Sequence, residues 1–221
     1  MNKLSPPTED YLKTIYLIQE RESAGASTNA IAAALQVTPA SVTGMIKKLA
    51  ELKLVRHTPY QGVELTRSGE KIALEVVRHH RLLELYLFEA LGYTWDEVHA
   101  EADALEHVIS EEFEDRIAAR LGNPVVDPHG DPIPAKDGTI VAVKERALLN
   151  LPAGEAASIT RVADGDSEML RYAGNLGLRP TAHVTLIEME PFGGSLRIKI
   201  GKVEHSIGRD LAAQIFVTAK A

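Results

Sequence analysis

His99, Asp103, Glu106 and His107 stand at successive spacings of four, three and one in the stretch VHAEADALEHVISEEFED. On a helix of 3.6 residues per turn, these steps stack all four side chains on one stripe. His80 and Glu84, in RHHRLLELY, repeat the i, i+4 spacing one helix earlier. Neutral imidazole and carboxylate suit first-row divalent ions, so the expected chemistry is metal binding. The chain has no cysteine, which excludes disulfides and thiolate ligands. HxxxE at 80 and 84 is a weak pattern alone, whereas HxxxDxxEH at 99–107 is more specific.

The charge around these residues is uneven. Across 221 residues the net charge is -7, which argues against a protein that coats nucleic acid over its whole surface. From Pro39 to Lys71, however, six Lys or Arg face three Glu, while Leu82 to Asp115 holds eleven acids and no Lys or Arg. A basic patch followed by an acidic one fits a DNA contact and then cation binding. A solvated acidic helix face is the plainer explanation of the acids, and the interleaved histidines argue against it. No apolar run approaches the roughly 20 residues of a membrane span. The opening MNKLSPPTEDYL lacks the apolar region of a secretory signal, so a cytoplasmic protein is expected.

The elements that must position these residues can be read from period and punctuation. Thr8–Glu22 has the helical period, with Thr8 as expected N-cap. Ser27-Thr28-Asn29 opens a short helix over Ala30–Leu35, Gln36–Pro39 breaks it, and Ala40–Leu52 forms a third helix with Val42, Met45, Ile46 and Leu49 inward. Two short helices joined by a tight turn are a helix-turn-helix. LVRHTPYQGVEL then reads as a strand, turn and strand, the wing of a winged helix. A long helix is expected from about Gly69 to Leu91, a further one capped by Thr94 and carrying the metal stripe, and a third from Ser110 to Leu121.

Leu121–Gly138 holds four prolines and three glycines and reads as an extended linker. Beyond it, TIVAV, ASITRVA, HVTLIEME, LRIKIG, VEHSIG and AQIFVTA alternate as short strands, with a helix near Ser167–Leu176. The expected fold class is mainly α with α+β. Its three parts are a winged helix-turn-helix (1–72), a helical metal-binding and dimerisation domain with the Pro-rich linker (73–138), and a small SH3-like β-barrel (139–221).

With helix-turn-helix, wing, EHVISEEFEDR, the DPIP linker and a barrel in this order, the chain resembles the diphtheria toxin repressor family. These are metal-dependent bacterial transcription regulators with iron- and manganese-sensing branches. The resemblance spans essentially the full length and is most specific in TEDYLKTIY, VTPASVTGMIKKL, RHHRLLE, VHAEADALEHVISEE and SEMLRYAGNLGL. It implies a primary metal site of Asp10, Asp103, Glu106 and His107. It also implies an ancillary site of His80, Glu84 and His99, completed from the barrel by Asp166. The neighbouring position that often supplies a carboxylate is Ala163 here, with Asp164 as substitute.

Iron-sensing relatives carry Met and Cys at the positions of Asp10 and Asp103. The carboxylates here favour Mn(II), with Fe(II) the alternative. The short manganese regulators carry Glu where this chain has Lys13. An ammonium cannot ligate a cation, so one primary and one ancillary ion are expected, without a closely spaced pair.

The resemblance implies metal-promoted binding of a homodimer to a pseudo-palindromic operator in double-stranded DNA, with no membrane or small-molecule substrate as partner. Thr38, Pro39, Ser41, Thr43 and Gly44 would read bases. Lys47, Lys48 and the wing near Tyr60 and Gln61 would position the backbone. His79, pointing about 100° away from His80, is expected as a surface or interdomain residue and not a ligand. His57, His129 and His205 carry no spacing signal. The rival class is a metallohydrolase, but the sequence shows neither a nucleophile motif nor a phosphate loop.

Overall fold

The computed structural model describes residues 4–22, 25–58 and 61–219. By internal contact the chain divides into two units. One comprises residues 1–80, 106–109 and 134–139, the other residues 81–105, 110–133 and 140–221.

In the first unit, α1 (Pro6–Glu22) begins two residues before the expected cap. Pro6 and Pro7 fill the first positions, where a missing N–H costs nothing, and Ser5 O accepts from Thr8 N at 2.8 Å. Thr8 is therefore buried in the first turn. Ser27 caps α2 (Thr28–Ala34) and Thr38 caps α3 (Pro39–Glu51). Between them, Gln36 turns the chain at a φ of 53°. Leu12, Ile15, Ile31, Val42, Ile46 and Leu49 form the core under these helices.

The wing is the antiparallel pair β1 (Val55–Thr58) and β2 (Gly62–Leu65), with Val63 in the same core. Gly62 has a φ of 89°, and a Cβ there would lie 2.6 Å from Gly25 O. Only glycine allows Ala26 and Val63 to exchange their two backbone hydrogen bonds at this approach. The helix α4 (Arg67–Leu91) follows without a break.

In the second unit, Thr94 hydrogen-bonds the Glu97 carboxylate at 2.7 Å across a turn, and α5 (Val98–Leu105) starts only after it. This corrects the expected stripe. The helix ends at Leu105, so Glu106 and His107 lie in a turn and not on the helix of His99 and Asp103. Ser110 caps the next helix, α6 (Glu111–Arg120).

The sheet is six-stranded and antiparallel, in the order β3-β8-β4-β5-β6-β7. Its strands are β3 (Arg146–Ala147), β4 (Ala156–Val162), β5 (His183–Met189), β6 (Leu196–Ile200), β7 (Val203–Ile207) and β8 (Ile215–Ala219). Register shifts at Ile159/Arg161 and Leu186/Glu188 add the local bend that lets a small sheet curl. TIVAV is not a strand. Val141 and Val143 are exposed, and pairing starts at Arg146. Propensity alone does not supply a partner. Two short helices, α7 (Ser167–Asn175) and α8 (Arg209–Ala213), pack with Trp95, Leu148, Leu186 and Ile198 into the core of this unit.

Candidate metal centres and nucleic-acid face

In the first unit, Asp10, Glu106 and His107 come together, each offering a donor atom within 4.8 Å of the others. Asp10 projects from α1, and its Oδ1 is 2.7 Å from His107 Nε2. Glu9 Oε2 takes the other ring nitrogen of His107, also at 2.7 Å. Glu106 is buried, with Oε1 3.4 Å from His107 Nε2.

Lys13, one turn beyond Asp10 on α1, donates to both Glu106 oxygens at 2.8 Å. His80 Nδ1 lies 2.6 Å from Glu106 Oε2. His79, expected as a surface or interdomain residue, is buried. Its Nδ1 is 3.1 Å from the Glu106 carbonyl, where it steadies the turn that carries the site. With neutral imidazoles, the carboxylates of Glu9, Asp10 and Glu106 against the one ammonium of Lys13 leave two negative charges. That balance and the hard N/O donors fit a divalent first-row ion.

In the second unit, Glu84 on α4 and His99 on α5 meet, with His99 Nδ1 3.2 Å from Glu84 Oε1. Asp164, just beyond β4, brings Oδ2 to 3.6 Å from the same nitrogen. Asp166, the ligand expected from the sheet, is exposed and caps α7, accepting from Glu168 N and Met169 N. Asp103 Oδ2 lies 3.5 Å from His99 Nε2 across one helical turn.

Sequence reasoning missed Asp127 and His129. Both are buried, and their donor atoms lie within 4.8 Å of Glu84. Among the described residues, Asp127 Oδ2 and His129 Nδ1 have no hydrogen-bond partner. His129 Nε2 donates to Trp95 O at 2.6 Å, which turns Nδ1 towards Glu84 Oε2, 3.7 Å away. A ring held through one nitrogen so that the other faces carboxylates is the usual setting of a metal-ligating histidine.

Burial opposes the charged form of His129, yet Glu84, Asp127 and Asp164 outweigh it and raise its pKa from 6.5 to about 9. Burial, with Glu84 and Asp131 adding to it, pushes the Asp127 carboxyl well up. The available signal was DPHGD itself, a histidine between acids at a glycine turn. Gly130 has a φ of 92°, and a Cβ there would be 2.0 Å from Thr160 O, so this segment is built into the unit.

The outer face of α3 is polar and open. Thr38 Oγ1 accepts from Ser41 N at 3.2 Å, and Thr43 Oγ1 donates to Pro39 O at 2.9 Å. Pro39, Ser41, Thr43, Gly44, Lys47 and Lys48 are exposed, while Val42, Ile46 and Leu49 are buried behind them. Gln61 is exposed in the wing, and Tyr60 lies outside the described residues. Among the described residues, no helix is long and apolar enough to cross a membrane.

Residues 3–63 match the family described as iron dependent repressor, N-terminal DNA binding domain. Residues 66–135 match the iron dependent repressor metal binding and dimerisation domain, and residues 146–219 the FeoA domain. The iron-dependent repressor IdeR of Mycobacterium tuberculosis is 32% identical over 98% of this chain and 99% of its own. The diphtheria toxin repressor of Corynebacterium efficiens is 30% identical over 85% of each. A solved manganese-dependent transcriptional repressor in complex with manganese has a TM-score of 0.92 and 38% identity, covering 96% of this chain and 100% of that one. With its domain order, its donor clusters and full-length relatives in agreement, the chain belongs to the iron-dependent repressor family of metal-dependent transcriptional regulators.

Proposed function

We propose that this protein is a Mn(II)-responsive repressor that binds operator DNA as a homodimer. The observation that carries the reading is the convergence of Asp10, from the first helix of the winged head, on Glu106 and His107. A bound divalent ion would supply the positive charge that these groups are arranged to accept. The residues do the rest: Asp10 ties α1 to the turn at Glu106, and His79 holds that turn by its carbonyl. The α3 face of Thr38, Pro39, Ser41, Thr43 and Gly44 then addresses base edges, while Lys47, Lys48 and Gln61 meet phosphates. We assign a second ion site to Glu84, His99, Asp127, His129 and Asp164.

The carboxylate of Asp10 in the first site supports manganese, as does the likeness to a repressor described as manganese-dependent. Fe(II) is the second reading, supported by the iron-dependent repressors among the relatives. A homodimer would present two heads to half-sites one helical turn, or a multiple of it, apart on a pseudo-palindrome.

The test is fluorescence anisotropy on labelled duplexes selected from sheared genomic DNA, with and without Mn(II). Wild type should bind at least about tenfold more tightly with the ion, a coupling of roughly 1.4 kcal/mol. His107→Ala should lose that gain and keep a cooperative thermal transition. Equal affinity of wild type with and without Mn(II) and Fe(II) would refute the proposal.

A further inference from the structure

Lys13 places a long cationic side chain against the buried acid of the first unit's cluster. Its Nζ is 2.8 Å from both oxygens of Glu106 and 3.3 Å from His80 Nδ1. A carboxylate and an imidazole therefore converge on one ammonium, the donor set that otherwise suits a divalent ion. The side chain of Glu106 is 1% exposed and that of Lys13 is 13% exposed, so water screens this pair little.

We propose that Lys13 is a covalently attached second cation, standing beside Glu106 where a second ion would otherwise sit. This rests on reading Asp10, Glu106 and His107 as an ion site. Three consequences follow from chemistry. The ammonium compensates Glu106 before any metal arrives, and it fastens α1 to the Glu106 turn in the metal-free protein. Because it is tethered, it cannot leave, so the first unit takes one divalent ion on the Asp10–His107 side. It also repels that ion, which sets the response to a higher Mn(II) concentration than the carboxylates alone would give.

The probe is Mn(II) alone, titrated into the full chain and followed by electron paramagnetic resonance. Wild type should show no spin-coupled manganese pair. Lys13→Glu should take up one more ion per chain and develop a spin-coupled signal, since Glu106 can then bridge two ions. Lys13→Gln keeps a donor but loses the charge. It should bind the first ion about tenfold or more tightly, as removal of a like charge a few ångströms away requires. Without metal, its α1 amides should exchange faster than those of wild type.

A spin-coupled pair in wild type would overturn the inference. So would a Lys13→Glu protein that takes up no further ion together with a Lys13→Gln protein of unchanged affinity. Wild type that binds no Mn(II) at all would remove the ion site itself, and this inference with it.

Discussion

His129 shows how a residue without a sequence pattern can matter more than one with it. The spacing of His99 to His107 announces a donor run, because i, i+4 steps are visible in one dimension. His129 stands alone in a proline-rich stretch, and only the tertiary fold brings Glu84 to 3.7 Å from its Nδ1. Its proton gives a measurable consequence. Because its pKa is raised from 6.5 to about 9 in the folded protein, its stabilising contribution is complete below pH 6.5. That contribution is lost as the pH climbs through 9. In the metal-free protein this is worth up to about 3 kcal/mol, from roughly 1.4 kcal/mol per pH unit. Chelator-treated wild type should lose thermal stability between pH 6.5 and 9, and His129→Gln should show a flatter profile over that window. Parallel profiles would show that His129 holds no such proton.

Helix ends decide the geometry of the elements more than helix interiors do. The period of α1, α3 and α4 was legible because apolar residues recur on one face. The end of α5 at Leu105 was not, since VHAEADALEHVI contains no glycine or proline to mark it. That end comes from the next cap, Ser110, and from the His79 contact to the Glu106 carbonyl. Caps are correspondingly testable. Thr38→Ala removes the acceptor for Ser41 N at the head of α3 and should cost about 1 kcal/mol of stability in denaturant unfolding. Thr38→Ser should restore most of it; no loss in the alanine protein would mean the cap is idle. In the wing, Gly62→Ala forces a Cβ to 2.6 Å from Gly25 O at a φ of 89°, and should cost more than about 1 kcal/mol. An unchanged melting temperature would count against the close approach of Ala26 and Val63.

Over the whole molecule, composition marks where the sequence changes character, and contacts group it differently. Residues 73–80, together with 106–109 and 134–139, cluster with the winged head, while 110–133 cluster with the sheet. Arg78 donates to Pro134 O at 2.6 Å within the first unit, and Arg81 to Pro132 O at 2.6 Å within the second, so even the proline-rich stretch is shared between them. A period or a cap is local and can be read in sequence, whereas such pairings across fifty residues cannot. The charge asymmetry has its own consequence at this scale. Replacing Lys47 and Lys48 with Ala together should weaken binding to all duplexes alike. The slope of log affinity against log salt should become shallower by about 2 if both meet phosphates. An unchanged slope would place them off the DNA.

Because the first unit is assembled from three separated stretches of chain, it cannot be completed until the last of them has been made. During synthesis the helix-turn-helix and wing emerge early and have their own core of Leu12, Ile31, Val42 and Leu49. Glu106 and His107 follow only after α5, and the stretch through Thr139 later still. A nascent chain halted at Leu91 should therefore hold a folded head with no means of sensing metal. Each newly made copy would pass through an interval in which it is structured and deaf to the ion, ending only when translation has moved well beyond residue 139.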